Sequence, residues 1–173
     1  MKLLSLFFLS IMAMACGSKH LSVTDNPITN TKSPCPENGT CTFEVLEGKV
    51  LNIQKDNFGN LYPELLDGES VVLKFEFKRD EIPDTVDGNY SELIFMQLDS
   101  KQPEMQLEDL NLQNVKLLFG RLCFCRGQTG YYKIDKGALS VAKLDGDTYQ
   151  LHLDFKCDEV PQIIEMLNET FKL

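Results

Sequence analysis

Val71, Leu73, Phe75 and Phe77 alternate along the chain with Val72, Lys74, Glu76 and Lys78. Tyr149, Leu151, Leu153 and Phe155 alternate in the same way with Gln150, His152, Asp154 and Lys156. Successive side chains of a strand leave opposite faces, so each stretch predicts an antiparallel strand with one face buried. Residues 93–98 are apolar on both faces and are expected at the centre of a sheet. Leu46-Glu47-Gly48, Leu66-Asp67-Gly68 and Leu144-Asp145-Gly146 share one turn chemistry. Read as three-residue loops with glycine in the left-handed region, they set Phe43 opposite Leu51 and Cys41 opposite Ile53. The last of them sets Val141 opposite Tyr149, Leu139 opposite Leu151 and Lys143 opposite Asp147. A two-residue loop there would bring Val141 against Gln150 and mix apolar with polar residues on each face, so the odd length is expected.

Asp158, Glu159 and Pro161 suit the first turn of a helix. Ile163, Ile164, Leu167 and Phe171 then fall at helical spacing, which predicts an α-helix packed on the sheet. The expected fold class is therefore mostly β, an antiparallel β-sandwich with one C-terminal α-helix. Strand after strand closed by one helix also resembles the lipocalin order of elements, which implies a barrel. The chain has no Trp and hence no early Gly-x-Trp, and the sandwich ranks first.

Ahead of this body lies a different kind of sequence. Met1 and Lys2 give a short basic start, residues 3–12 an apolar run, and Ala13-Met14-Ala15 a small-x-small cleavage pattern. The run is shorter than the about 20 apolar residues needed to cross a bilayer, so residues 1–15 are expected to be a removed signal peptide. Ala13-Met14-Ala15-Cys16-Gly17-Ser18 resembles the lipobox of bacterial lipoproteins. That resemblance implies that Cys16 is joined to diacylglycerol and becomes the new N-terminus, with palmitate-like acyl chains holding the protein on a membrane. The same three residues suit ordinary signal peptidase, which would release a soluble chain. On the lipoprotein reading the protein sits in the cell envelope, at the outer membrane. Residues 16–34, rich in Ser, Thr, Asn and Pro, read as a tether spanning roughly 20–25 Å, and residues 35–173 as a single β-rich domain.

The formal net charge of −9 would repel phosphate backbones and anionic headgroups, so nucleic acid is not an expected partner. The partners expected are the membrane, through the lipid anchor, and an envelope protein, a glycan or a small apolar ligand.

Six cysteines in an exported chain point to disulfides. Cys35 and Cys41 bracket the turn-forming Pro36-Glu37-Asn38-Gly39-Thr40 and are expected to pair. Cys123 and Cys125 leave one strand face with Cα atoms about 6.6–6.8 Å apart, at the far edge of disulfide geometry. One of them is expected to meet Cys157, leaving the other free. An alternative joins Cys123, Cys125 and Cys157 as three thiolates for metal binding or redox exchange, although no fourth ligand lies nearby and no metal site is expected.

The only histidines are His20 and His152, and no nucleophile pattern surrounds either, so no catalytic residues, enzyme activity or cofactor are expected. Residues 120–132 gather Arg121, Arg126, Tyr131 and Tyr132 around a hairpin. Arg and Tyr dominate binding hot spots, which makes these four the candidate binding residues. Asp84-Thr85-Val86, in the polar connection 79–89, resembles an O-glycosylation pattern of some exported bacterial proteins.

Overall fold

In the computed structural model, residues 32–81 and 83–173 are described. The expectations for the signal peptide, for Cys16 and for the tether up to residue 31 lie outside them. Among the described residues, nine strands form two antiparallel sheets. They are β1 (Gly39–Lys55), β2 (Leu61–Arg79), β3 (Tyr90–Leu98), β4 (Met105–Glu108), β5 (Leu118–Cys123), β6 (Gly130–Lys133), β7 (Gly137–Asp145), β8 (Thr148–Phe155) and β9 (Met166–Lys172). One sheet runs β1-β2-β3-β5-β6 and the other β4-β7-β8-β9, with a 3-10 helix (Asp109–Val115) leading into β5. The protein is mostly β with a sandwich-like arrangement.

The period-two stretches behave as their patterns require. Val71, Leu73, Phe75 and Phe77 of β2 meet Leu151, Leu153 and Phe155 of β8 in the core between the sheets. Side chains of this size contribute roughly 1.5–3 kcal/mol each on burial, so this face dominates the stability. β3 lies at the centre of its sheet. It sends Ile94, Met96 and Leu98 into the main core and Leu93 and Phe95 to the opposite face.

Two of the three expected hairpin loops are instead kinks inside long strands. Phe43 faces Phe75 and Cys41 faces Phe77, with the register slipping between Glu47 and Lys49. Gly48 adopts φ +66° at that bulge, and Gly68 opposite it leaves no room for a Cβ beside Val50. A glycine needed for a left-handed bulge residue has the same sequence signature as one needed for a turn. The true turn is at residues 56–60, where Asp56 Oδ1 accepts from the Phe58 and Asn60 amides at 2.9 and 2.8 Å. Beyond the kink the ribbon covers the outer face of its own sheet. Leu51, Ile53 and Leu61 pack there on Val72, Leu93, Phe95, Leu118 and Tyr131. Lys116 Nζ donates to Leu51 O at 2.6 Å, and Leu51 N donates to Gln97 Oε1 at 2.9 Å, tying the ribbon down.

The third expected loop is a hairpin, two residues out of register. Val141 faces Leu151, Leu139 faces Leu153 and Lys143 faces Tyr149, with a bulge between Lys143 and Asp145. The bulge supplies the odd residue that the three-residue loop was meant to supply, so the faces come out as expected while the pairs shift.

The C-terminal α-helix is not formed. Residues 156–165 run as an irregular segment that plugs the core with Val160 and Ile164, and residues 166–172 are strand β9, paired with β8. Leu167, Glu169 and Phe171 point inward at period two. The inward acid broke the apolar alternation and left the helical spacing as the visible pattern. Ile163, assigned to the buried stripe, is 38% exposed.

At the other end of the described chain, Ser33 joins the body rather than the tether. Its amide donates to Asn168 O at 2.9 Å, and the Asn168 amide donates to its hydroxyl. Together with Cys35–Cys41 this straps the seam between the edge strands β9 and β1, where Phe43 and Phe171 also meet.

Candidate binding face

The β5–β6 hairpin stands at one end of the five-stranded sheet, beside the 80–89 connection between β2 and β3. Pairing with β3 sets Arg121 opposite Glu92 and Cys123 opposite Tyr90, and pairing with β6 sets Arg121 opposite Gly130.

Arg121 is buried, which removes it from any contact surface. Its Nη1 donates to the backbone and side-chain oxygens of Gln128, both at 3.1 Å, and its Nε to Tyr90 Oη at 3.3 Å. Tyr90 Oη donates to Glu92 Oε1 at 2.5 Å. Burial, reinforced by the bond to Glu92, pushes the Tyr90 hydroxyl pKa up. Glu92, fully buried, accepts the Ile163 and Ile164 amides at 2.7 Å each. The Arg79 guanidinium lies 4.3 Å from the Tyr90 ring centre. Arg121 therefore works as a structural bolt. A buried guanidinium needs such partners, because an unpaired buried charge costs several kcal/mol. Sequence reasoning missed Glu92, and its one signal was a lone acid at the head of an apolar strand.

The other three candidates separate as well. Tyr131 and Tyr132 leave opposite faces of β6. The Tyr131 ring lies over Gly120, where a Cβ would collide with it, and 6.4 Å from Phe95 on the outer face. Tyr132 packs against the main core. Burial raises the pKa of both hydroxyls. Arg126 alone is exposed, in the turn. The four residues do not form one patch.

The exposed surface at this end carries large apolar side chains. Phe124 is 82% exposed and Val86 94%, and with Leu122 they line a groove of about 330 Å³ that also touches Tyr90 and Cys123. A second cleft of about 510 Å³, lined by Glu81, Asp84, Val86 and Asn89 among others, adjoins it through Val86 and Asn89. Asp80, Glu81, Asp84 and Asp87 give this edge an acidic rim, and Arg126 is the cation of the hairpin tip. Thr85 lies in the same connection, after Asp84 at φ +60°.

The cysteines follow the expectation only in part. Cys35 and Cys41 are bonded, with Cα atoms 5.8 Å apart. Cys123 bonds Cys125 rather than Cys157, with Cα atoms 5.2 Å apart. The bend this requires is present because β5 ends at Cys123 and the chain leaves the sheet at Phe124. Cys157 is free and buried just past the end of β8. Burial pushes its thiol pKa up, and the sulfur contacts Glu159 Oε2 at 3.5 Å. The three sulfurs thus do not form one ligand set. His152 sits on the outside of β8, with Nε2 at 2.9 Å from Asp154 of the same strand.

No protein-family model, curated protein or solved structure matches the chain.

Proposed function

We propose that the protein is an exported lipoprotein of the bacterial envelope. Acylated Cys16 holds it at the outer membrane, and the sandwich serves as a non-catalytic module that docks on another envelope protein. The observation that carries the docking part is Phe124, a large aromatic side chain held in solvent at a closed hairpin tip beside Val86 and Leu122. Contiguous apolar surface of this kind is costly to leave in water and marks contact sites, and aromatic anchors supply much of the energy of protein interfaces. A small apolar ligand is a poorer fit. Among the described residues, the space between the sheets is filled by Phe75, Phe77, Phe119 and Phe155 with their aliphatic neighbours. The acidic rim favours a partner with basic groups around an apolar recess.

Two acyl chains give stable anchoring where one does not. The test of docking is a photo-reactive residue placed at position 124 in living cells. Discrete cross-linked products are expected there, and few from the same residue at Leu110, which is 73% exposed on the 3-10 helix beside the other end of β3. Equal yields at the two positions overturn the docking face.

A further inference from the structure

The β5–β6 ladder and the turn that closes it are out of step. Arg121 faces Gly130, so the pairing continued outward would set Cys123 opposite Gln128 and put the turn on residues 124–127. The turn lies one position later. Gln128 N donates to Cys125 O at 3.0 Å, spanning Arg126 and Gly127, and Gly127 has φ +71°. A left-handed third residue is what a type II turn requires, and Gly127 supplies it without strain. The β5 arm therefore carries two residues more than the β6 arm. The Cys123–Cys125 bond closes over that surplus, and Phe124 between them is expelled into solvent.

The two disulfides differ in what holds their sulfurs together once opened. Cys41 is locked in β1 opposite Phe77, and Cys35 is kept beside it by the adjoining turn, where Asp80 N donates to Asn38 O at 2.9 Å, and by Ser33 on β9. Opened, that pair stays in reach. Cys123 is likewise held in β5, opposite Tyr90, but Cys125 lies beyond the ladder, tied by the turn bond from Gln128 N rather than by a strand partner, and an extended strand would hold their Cα atoms about 6.6–6.8 Å apart instead of close together. Proximity in the reduced form sets how readily a disulfide re-forms, so the second bond is the easier one to keep open.

We propose that Cys123–Cys125 is a thiol-exchange site that an external dithiol opens while Cys35–Cys41 stays closed, and that opening it lets β5 run on and withdraws Phe124. A thiolate of the dithiol attacks Cys125 Sγ, which lies on the turn, while Cys123 packs on the core. The mixed disulfide forms as the sulfur–sulfur bond breaks, and Cys123 leaves as a thiolate that takes up a proton. The second thiol of the reductant then displaces Cys125, which also leaves protonated, and the reductant departs as its disulfide. Two electrons and two protons pass to the protein. Cys157 takes no part, being buried with its thiol pKa pushed up. The exchange stands apart from the docking reading; only its consequence for a partner at Phe124 rests on that reading.

The test titrates the full mature chain with dithiothreitol and follows it by differential alkylation and by amide NMR. Cys123 and Cys125 are expected to label at a dithiothreitol concentration about tenfold lower than Cys35 and Cys41, a factor that corresponds to about 30 mV for this two-electron couple. Amide shifts should be confined to residues 122–129 and their neighbours on β3 and the 80–89 connection, and Cys125→Ser should reproduce the reduced spectrum. Opening of both bonds together, prior opening of Cys35–Cys41, or unmoved loop amides after reduction each overturn the proposal. These readouts involve no partner, so their failure and a failure of the cross-linking test are separate results.

Discussion

Glu92 and Glu169 are both buried acids, and the chain treats them oppositely. Glu92 accepts two backbone amides and a tyrosine hydroxyl, so both its oxygens are partnered and it fastens the 156–165 segment to β3. Glu169 faces inward from β9 with Oε1 unpartnered among the described residues. Burial raises its pKa, opposed by Lys32. In the folded state it therefore keeps its proton to higher pH than in the unfolded chain. Its effect on stability is absent below the unfolded carboxylate range and becomes a loss as pH rises above that range. Glu169→Gln is expected to stabilise the protein at pH 7 on the order of 1 kcal/mol, with the gain shrinking as pH falls toward about 4.5, near the unfolded pKa. Urea unfolding at the two pH values checks it, and a variant no more stable at neutral pH contradicts it. Neither acid was legible as a site in the sequence, because a charge inside an apolar pattern reads as an interruption of it.

Among the elements, what was legible depended on whether one physical cause produced the pattern. The strands around Val71 to Phe77 and Tyr149 to Phe155 were readable because inward and outward positions carry opposite polarity. The kinks at Gly48 and Gly68 were not, since bulges and turns ask for the same glycine. β9 was mistaken for a helix because Glu169 occupies an inward position. The glycines also differ in what they are for. Gly137 has φ +137°, and a Cβ there would run into Asp154 O and Phe155 Cα across the β7–β8 pair. Gly127 has φ +71° with nothing within 4 Å of where a Cβ would be. Gly137→Ala should then destabilise by roughly 2 kcal/mol or more, and Gly127→Ala by about 1 kcal/mol from backbone conformation alone. The shift of the urea midpoint for each variant decides between this order and its reverse.

For the whole molecule, the pattern of strands gave a sandwich, while the cysteine pairing needed the fold. Cys157 looked like a partner for Cys123 or Cys125 because it ends the expected strand 149–156. The sheets bury it in the core, while β5 ends early enough for Cys123 to close on Cys125. The candidate residues Arg121, Tyr131 and Tyr132 are taken up by packing on one face or the other for a related reason. Arg and Tyr serve buried networks as well as interfaces, and only the parity of β5 and β6 tells which. The face that emerged, around Phe124 and Val86, came from side chains the sequence reading had passed over. Its use depends on the chain being held in the envelope, which the proposal places on Cys16.

The most direct measurement is the intact mass of the mature protein extracted from membranes, taken with and without thiol alkylation after unfolding. The expected result is residues 16–173 carrying a diacylglyceryl group on Cys16, with two disulfides and a single alkylated thiol at Cys157. A bare N-terminus at Cys16, or a chain that keeps Met1, would contradict the anchored reading.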